Sequence, residues 1–280
     1  MNENLLWDKA SLLASPLFEA LHPVLARMEY AHFPGLSDLN ALLEQPLVNV
    51  RPGLPLCCVA QVQASAQAKL AFEQQYEPRC YLMGELQVRA NNWHDLLNVL
   101  VWASFPAAKA ALNALHYQAM REENGAEHKG RGAARDMATL FDESGVVVAC
   151  ADAELAKLLR GFSWHELFWQ QRARVHAEMG FYVFGHGLLE KAMQPYVGIT
   201  GQGLILDVES DFFAWPLPRR VAYLDTLLME YLSAEQNCRG TRELTPVPLL
   251  GVPGWSAENT QESYYANTAY FRPGRTGRAS

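Results

Sequence analysis

The sequence predicts a helix-dominated α+β fold: a single domain, residues 1–280, with a small antiparallel sheet. Two long stretches, 93–118 and 219–234, carry apolar side chains at helical spacing. A third stretch, 138–150, instead holds two β-prone runs around the tetrapeptide DESG, whose Asp and Gly suit a tight turn. We therefore expect helices to form most of the domain and a β-hairpin near 138–150 to form part of its sheet.

The first third of the chain predicts short helices separated by prolines. Ser15 can cap a helix that has Pro16 at its first position, and Ser37 can cap another. Residues 56–62 carry a short β-like run, and residues 64–75 are strong helix formers.

The middle of the chain predicts a kinked pair of helices followed by a loop. Pro106 removes a hydrogen bond from the helical pattern, so two helices or one bent helix should form there. Trp93 and Trp102 belong to the apolar pattern and are expected to anchor the core. Residues 121–134 combine glycines with mixed charges, which predicts a mobile surface loop.

The second half alternates helical and β-prone segments. Helical patterns cover 153–160, 164–177 and 187–193, and strand candidates cover 181–184 and 204–208. The tail from Thr245 onward is rich in Pro, Gly and aromatic residues, so it should wrap the domain as an extended segment with a frayed end at 272–280.

Composition excludes several classes of protein. Half of the 280 residues are hydrophobic and 19% are charged, which is typical of a globular chain with a large core. A formal charge of -7 disfavours nucleic acid as a partner, and no apolar run reaches the roughly 18 to 20 residues of a membrane helix. Five cysteines without a Cys-x-x-Cys motif, and an amino terminus unlike a secretory signal, suit a reducing cytoplasm. A small molecule is the partner that these features leave open.

The strongest candidate for a functional site is a polar cluster at the start of the first long helix. His94 and Asn98 are four residues apart and so share a helix face, with Asp95 beside them. An imidazole, a carboxylate and a carboxamide in this arrangement could bind a metal or act in general acid/base catalysis. Helix capping is the structural alternative, and it explains Asn91, Asn92 and Asp95 but not His94.

A second candidate pair lies further along the chain. His186 and Glu190 have the four-residue spacing that lets both side chains reach one ion, and Gly185 and Gly187 would allow close approach of a ligand or of backbone. The alternative is a buried histidine that is satisfied by a glutamate one turn away. We expect His94 and His186 to lie in one pocket, where His94, Asp95, His186 and Glu190 could ligate a divalent metal.

Two further charged residues precede the predicted hairpin. Arg135 and Asp136 are candidate catalytic residues, and the alternative is an ion pair that anchors the neighbouring loop. Three common enzyme motifs are incomplete or absent. HELFW at 165–169 lacks the second histidine of a zinc protease, and the chain has no P-loop and no Gly-x-Ser-x-Gly elbow.

Several motifs together resemble the bacterial family of unknown function DUF3025. They are NWHDLLN at 92–98 with VW at 101–102, FP at 105–106, KAALN at 109–113, ARD at 134–136, LFDE at 140–143, FGHGL at 184–188, PVPLLGVPGW at 246–255 and FRP at 271–273. The resemblance implies a bacterial protein that forms one family-length unit, and it carries over no catalytic residue.

Two functions from different classes therefore remain open. One is a cytoplasmic enzyme, a metal-assisted hydrolase that uses His94, Asp95 and Asn98 with His186 and Glu190. The other is a binding or scaffold protein whose aromatic-rich tail and Trp residues form a partner surface. Convergence of the polar residues on one pocket would favour the enzyme, and dispersed polar residues with an exposed aromatic patch would favour the binding protein.

Overall fold

The computed structural model describes residues 7–61, 70–125, 132–234 and 236–274. Its α-helices are α1 (Lys9–Ala14), α2 (His22–Leu25), α3 (Leu36–Glu44), α4 (Tyr76–Met83), α5 (Trp93–Ser104), α6 (Pro106–Gly125), α7 (Ala133–Ser144), α8 (Ala153–Arg160), α9 (Arg172–Glu178), α10 (His186–Ala192) and α11 (Leu217–Ser233). Its strands are β1 (Asn49–Arg51), β2 (Leu54–Pro55), β3 (Cys57–Ala60), β4 (Glu85–Val88), β5 (Gly145–Cys150), β6 (Met179–Val183), β7 (Thr200–Asp207) and β8 (Thr245–Pro248). The predicted helix-dominated α+β fold is confirmed.

The main sheet has four strands in the order β6-β5-β7-β8. β5 pairs antiparallel with β6 and parallel with β7, and β7 pairs antiparallel with β8. Every residue of β5 is buried, as expected for a central strand with a continuous apolar sequence. Two smaller sheets, β1-β2 and β3-β4, have two strands each. The main sheet is thus mixed, whereas the sequence predicted an antiparallel one.

The predicted hairpin near 138–150 is wrong in its first half. Residues 138–144 belong to α7, which buries Met137, Ala138 and Phe141 at helical spacing and passes directly into β5 at Gly145. The apolar side chains of this stretch are therefore buried on one face of a helix, which packs against the core. As a consequence, the last turn of a helix, rather than a loop, carries the acidic residues that follow Phe141.

The kinked helical pair forms as two helices, α5 and α6. The Asn92 side chain caps α5 by accepting a hydrogen bond from the Asp95 backbone N–H at 3.0 Å, and Pro106 begins α6. Trp93 and Trp102 are buried, as predicted for core anchors.

A carboxylate from a distant helix completes the start of α6. Asp225 of α11 accepts hydrogen bonds from the backbone N–H groups of Ala107 at 3.1 Å and Ala108 at 2.7 Å. These N–H groups have no partner within their own helix, because the first turn of a helix leaves its amides free. The contact joins the start of α6 to α11.

The predicted mobile loop at 121–134 is wrong at both of its ends. α6 continues to Gly125 and α7 starts at Ala133, while residues 126–131 lie outside the described residues. Glu123 joins the two helices, because its carboxylate accepts hydrogen bonds from the Gly132 backbone N–H at 2.7 Å and from Arg135 at 2.6 Å.

The described part of the tail is folded back onto the domain. Trp164 donates its indole N–H to the Arg272 carbonyl oxygen at 2.7 Å, which holds the first residue of the segment predicted to fray. Residues 275–280 of that segment lie outside the described residues. In the described part of the chain, every helix is too short or too polar to cross a membrane.

Candidate metal centre

A close approach of two backbone segments positions the start of α10. The backbone N–H groups of Phe184 and Gly185 both donate to the Gly145 carbonyl oxygen at 2.9 Å. A Cβ at position 185 would lie 2.4 Å from the Gly145 nitrogen, so only glycine fits there. This contact places His186, the first residue of α10, beside the last turn of α7.

The two histidines singled out by the sequence meet in this region. His94 lies in the first turn of α5, and its Nε2 is 3.0 Å from the Nε2 of His186. Their rings are 4.4 Å apart between centroids and inclined at 70°. The side chain of His186 is only 6% exposed and that of His94 is 30% exposed, so one imidazole closes the bottom of the site and the other faces its opening.

Glu143 is the third group at this point. Its Oε1 lies 3.7 Å from the Nε2 of His186 and 4.0 Å from the Nε2 of His94. The carboxylate has room because residue 187 is glycine: a Cβ there would lie 2.3 Å from Glu143 Oε2. The ligand-type atoms of His94, Glu143 and His186 therefore converge to within 4.8 Å of one another.

The outer nitrogen of each imidazole faces a carboxylate. His94 Nδ1 is 2.9 Å from Glu190 Oε2, and because a carboxylate only accepts, this Nδ1 carries the hydrogen. His186 Nδ1 faces Asp142, whose Oδ2 is 3.9 Å away, and within the described residues it makes no hydrogen bond. Glu190 was predicted as a metal ligand beside His186. It instead accepts a hydrogen bond from His94 Nδ1, the ring nitrogen that points away from His186, because α10 directs the Glu190 side chain toward α5.

Burial sets the charge state of the inner histidine. It lowers the pKa of His186 to about 4, although the nearby Asp142 carboxylate opposes this effect. His186 is thus neutral near pH 7. The Nε2–Nε2 contact at 3.0 Å is a hydrogen bond with one hydrogen between the two nitrogens, and a bound cation would replace that hydrogen. Burial also raises the pKa of Glu143 above its usual value. A neutral imidazole is the form that binds metal ions.

A buried lysine supports the site from behind. Burial would raise the pKa of Asp142, but Lys109 and the neighbouring histidines outweigh it and lower that pKa to about 2. Lys109 is 4% exposed, forms an ion pair with Asp142, and also donates to Asn98 Oδ1 at 2.9 Å. Asn98 in turn donates from Nδ2 to the Tyr76 hydroxyl oxygen at 2.7 Å. The predicted site residue Asn98 is therefore a buried link between Lys109 and Tyr76.

A second group of metal-type side chains lies behind this lysine. Glu77, His116 and Asp142 have ligand-type atoms within 4.8 Å of one another. The ammonium group of Lys109 already neutralises Asp142, so this cluster has the character of a buried polar network rather than of a cation site.

The His94–Glu143–His186 cluster opens into a polar pocket of about 330 Å³. The predicted residue Asp95 lines this pocket, but Arg89 engages both of its oxygens, Oδ1 at 2.8 Å and Oδ2 at 2.9 Å. The Arg89 backbone N–H also donates to Asp95 at 2.7 Å. Asp95 thus holds the chain that leads into α5, a role beyond the simple capping alternative.

The remaining two predicted residues lie elsewhere. Arg135 bonds Glu123 at 2.6 Å, and Asp136 is an exposed residue in the first turn of α7. Neither belongs to the described lining of the polar pocket. The structure therefore separates Arg135 and Asp136 from the site that holds His94 and His186.

Sequence reasoning missed Glu143 and Asp142. Both were assigned to the turn of a hairpin, where acidic residues are common and carry no functional signal. The available signal was the helical spacing of Met137, Ala138 and Phe141, which predicts a helix whose last turn holds two adjacent carboxylates.

Comparison with known proteins places the chain in a family. A family model described as a protein of unknown function, DUF3025, matches residues 62–275, which is most of the chain. The chain belongs to the DUF3025 family. This confirms the resemblance seen in the motifs, and residues 62–275 include every member of the His94–Glu143–His186 cluster. Neither the curated proteins nor the solved structures give a match.

Proposed function

We propose that the protein is a metal-dependent hydrolase in which His94, His186 and Glu143 hold one divalent cation. The observation that carries this proposal is the 3.0 Å separation of the two Nε2 atoms, with a carboxylate oxygen within 4.0 Å of both. Two nitrogens bound at about 2.1 Å to one ion, in octahedral or tetrahedral geometry, are about 3.0 to 3.4 Å apart. The histidine pair already has the spacing of two ligands of one ion.

The outer partners support the same assignment. Metal-bound histidines usually donate their second ring N–H to a carboxylate or carbonyl, which fixes the tautomer and directs the other nitrogen at the ion. Glu190 fulfils this role for His94, and Asp142 faces the corresponding nitrogen of His186. The unpartnered Nδ1 of His186 can carry its hydrogen toward Asp142 once Nε2 binds a cation.

Two histidines and one glutamate are a ligand set of catalytic zinc sites. Such an ion lowers the pKa of a water molecule to near 7 and polarises the bond to be cleaved. Three protein ligands leave a coordination position for water or substrate, and the polar pocket gives both access to it. The same ligand types also serve iron oxygenases, so the identity of the metal is part of the test.

The alternative of a binding or scaffold protein draws less support. Its premise was an exposed aromatic surface, yet each of the seven tryptophans is buried or half-buried. The tail aromatics Tyr265, Tyr270 and Phe271 pack into the core. A larger cavity of about 630 Å³ lies near Trp164 and Tyr270, and its described lining lacks a converging group of ligand-type side chains.

We also infer a bacterial cytoplasmic setting. The five cysteines are all free, which suits a reducing compartment. The resemblance to a bacterial family supports a bacterial source.

Metal reloading with activity measurement tests the proposal. Protein stripped with a chelator would be reloaded with Zn²⁺, Mn²⁺ or Fe²⁺ and offered a panel of chromogenic esters, amides and phosphate esters. We expect hydrolysis that requires metal and is lost in His94→Ala and His186→Ala. His165→Ala is the matched control, because the side chain of His165 is half-exposed and pairs with Glu262. Hydrolysis that is unaffected by the two site variants, or activity that needs iron and consumes oxygen, would contradict it.

A further inference from the structure

We propose that the polar pocket takes an uncharged or cationic amide or ester, and that Tyr76 donates a hydrogen bond to its carbonyl oxygen. This inference rests on the proposed hydrolase function and specifies its substrate class. Two independent features support it, namely the fixed orientation of the Tyr76 hydroxyl group and the charges that line the pocket.

A chain of hydrogen bonds fixes the orientation of the hydroxyl group. The ammonium group of Lys109 can only donate, so the Asn98 atom that faces it at 2.9 Å is the carbonyl oxygen. The Asn98 amide nitrogen therefore faces Tyr76 and donates to the hydroxyl oxygen at 2.7 Å. Lys109 and Asn98 are both buried, which prevents the amide from turning over.

The hydroxyl hydrogen of Tyr76 is left for a ligand. Its oxygen already accepts from Asn98, and within the described part of the chain its hydrogen meets no acceptor. Tyr76 lines both the polar pocket and the small cavity behind it. Tyr76 as a whole is 39% exposed, but its hydroxyl end lies against the buried Asn98. Burial of that end raises the pKa of Tyr76 well above the usual value, so the hydroxyl group remains protonated near pH 7. It is a donor that is held in place for an acceptor atom in the pocket.

The charges of the pocket select against anionic substrates. Four of its lining residues are carboxylates: Glu77, Asp95, Asp142 and Glu143. Arg89 is the one cationic side chain in the described lining, and Asp95 engages it through two oxygens.

Lys109, which lies behind the pocket, has no unpaired positive charge for an anionic substrate either. Lys109 is paired with Asp142, so its ammonium group is already neutralised. Because Asp95 and Asp142 are engaged in these two pairs, Glu77 and Glu143 are the lining carboxylates that have no cationic side chain beside them, and Glu143 would face the metal. A phosphate ester would find no free guanidinium or ammonium group in the described lining to pair with its charge. A neutral or cationic carbonyl compound needs no such partner.

The reaction balances without a redox partner. Water adds its oxygen to the carbonyl carbon, and the bond from that carbon to nitrogen or oxygen breaks. The leaving amine or alcohol takes one proton, and the acid product loses the other to the solvent. Tyr76 keeps its proton throughout, and its hydrogen bond strengthens as negative charge develops on the carbonyl oxygen.

The test compares Tyr76→Phe with the unmodified full chain, both loaded with zinc. The probes are p-nitrophenyl acetate, p-nitrophenyl phosphate and the neutral amide N,N-dimethylacetamide. We expect the acetate to be hydrolysed in preference to the phosphate. In Tyr76→Phe, kcat for the acetate should fall roughly 10- to 100-fold, and the Kd of the amide should rise roughly 3- to 10-fold. Zinc affinity should stay unchanged, which separates loss of a donor from loss of the fold.

Tyr223→Phe is the matched control, because Tyr223 lies on α11 against Trp215 and Phe212. Preference for the phosphate ester, or a Tyr76→Phe variant equal to the unmodified protein, would overturn this inference while metal-dependent hydrolysis left the proposed function intact. Failure to bind metal, or hydrolysis that needs none, would overturn both.

Discussion

Replacement of Lys109 by methionine tests the buried charge network that supports the site. Lys109 is buried, and its Nζ lies over the rings of Trp102 and Phe184, 5.4 Å and 5.9 Å from their centroids. Methionine keeps most of this apolar volume but removes the charge. The Asp142 carboxylate then stays buried without its main counter-ion, and the Asn98 oxygen loses its donor.

The expected cost follows from the burial of the pair. Removing one partner of a buried ion pair typically costs about 3 to 5 kcal/mol, because the remaining charge is left uncompensated. In a chain of this size that corresponds to a fall of roughly 5 to 9 °C in the unfolding midpoint. Combining Lys109→Met with Asp142→Asn removes both charges, so the double variant should be more stable than the sum of the two single losses implies.

Urea unfolding followed by circular dichroism measures these differences. Lys157→Met is the matched control: Lys157 is 78% exposed and pairs with Glu154 at 3.8 Å, so its loss should change the unfolding free energy by no more than about 0.5 kcal/mol. A cost below about 1 kcal/mol for Lys109→Met, or strictly additive losses in the double variant, would refute the idea of a coupled buried pair.

Four further predictions concern the site and its supports. Gly187→Ala places a Cβ 2.3 Å from Glu143 Oε2, so metal affinity should fall about tenfold or more in a folded protein; unchanged affinity in a metal titration would contradict the site geometry. Asp225→Ala removes the cap of α6 and should cost about 1 to 2 kcal/mol in urea unfolding, whereas an unchanged midpoint would argue against the cap. Trp102→Ala should cost about 3 to 5 kcal/mol, and a much smaller loss would show that Trp102 is no core anchor. The folded-state pKa of His186 is about 4, below its unfolded value of 6.5, so only the unfolded chain gains a proton as pH falls between these values. The metal-free protein should therefore lose up to about 3 kcal/mol over this range, and an equal loss in His186→Gln would assign the effect to other groups.

The sequence predicted the elements whose signals are local. Asn92 as a cap and Pro106 as a break define α5 and α6 without reference to the rest of the chain. The hairpin failed because β-branched and aromatic residues occur on both sides of the tetrapeptide at 142–145, and their local propensity could not show that α7 packs Met137 and Phe141 against the core.

From the sequence, only those site residues could be predicted that stand out within a single helical segment. His94 and His186 stand out because each lies in the first turn of an apolar helix, and the structure brings their Nε2 atoms to 3.0 Å. The partner of each imidazole comes from packing between helices, which no single-segment pattern contains. Glu190 was predicted as a ligand beside His186, whereas in the structure the carboxylate at the cluster is Glu143 of α7 and Glu190 of α10 lies behind His94.

Zinc titration of the metal-free protein tests the central claim most directly. Calorimetry near neutral pH would compare the unmodified chain with His94→Ala, His186→Ala and Glu143→Ala, with the exposed Glu154→Ala as the control. The ligand set predicts one zinc ion per chain, with affinity lowered by roughly 100-fold or more in each site variant and unchanged in the control. Absence of zinc binding, or equal affinity in all the variants, would contradict a metal centre at His94, His186 and Glu143.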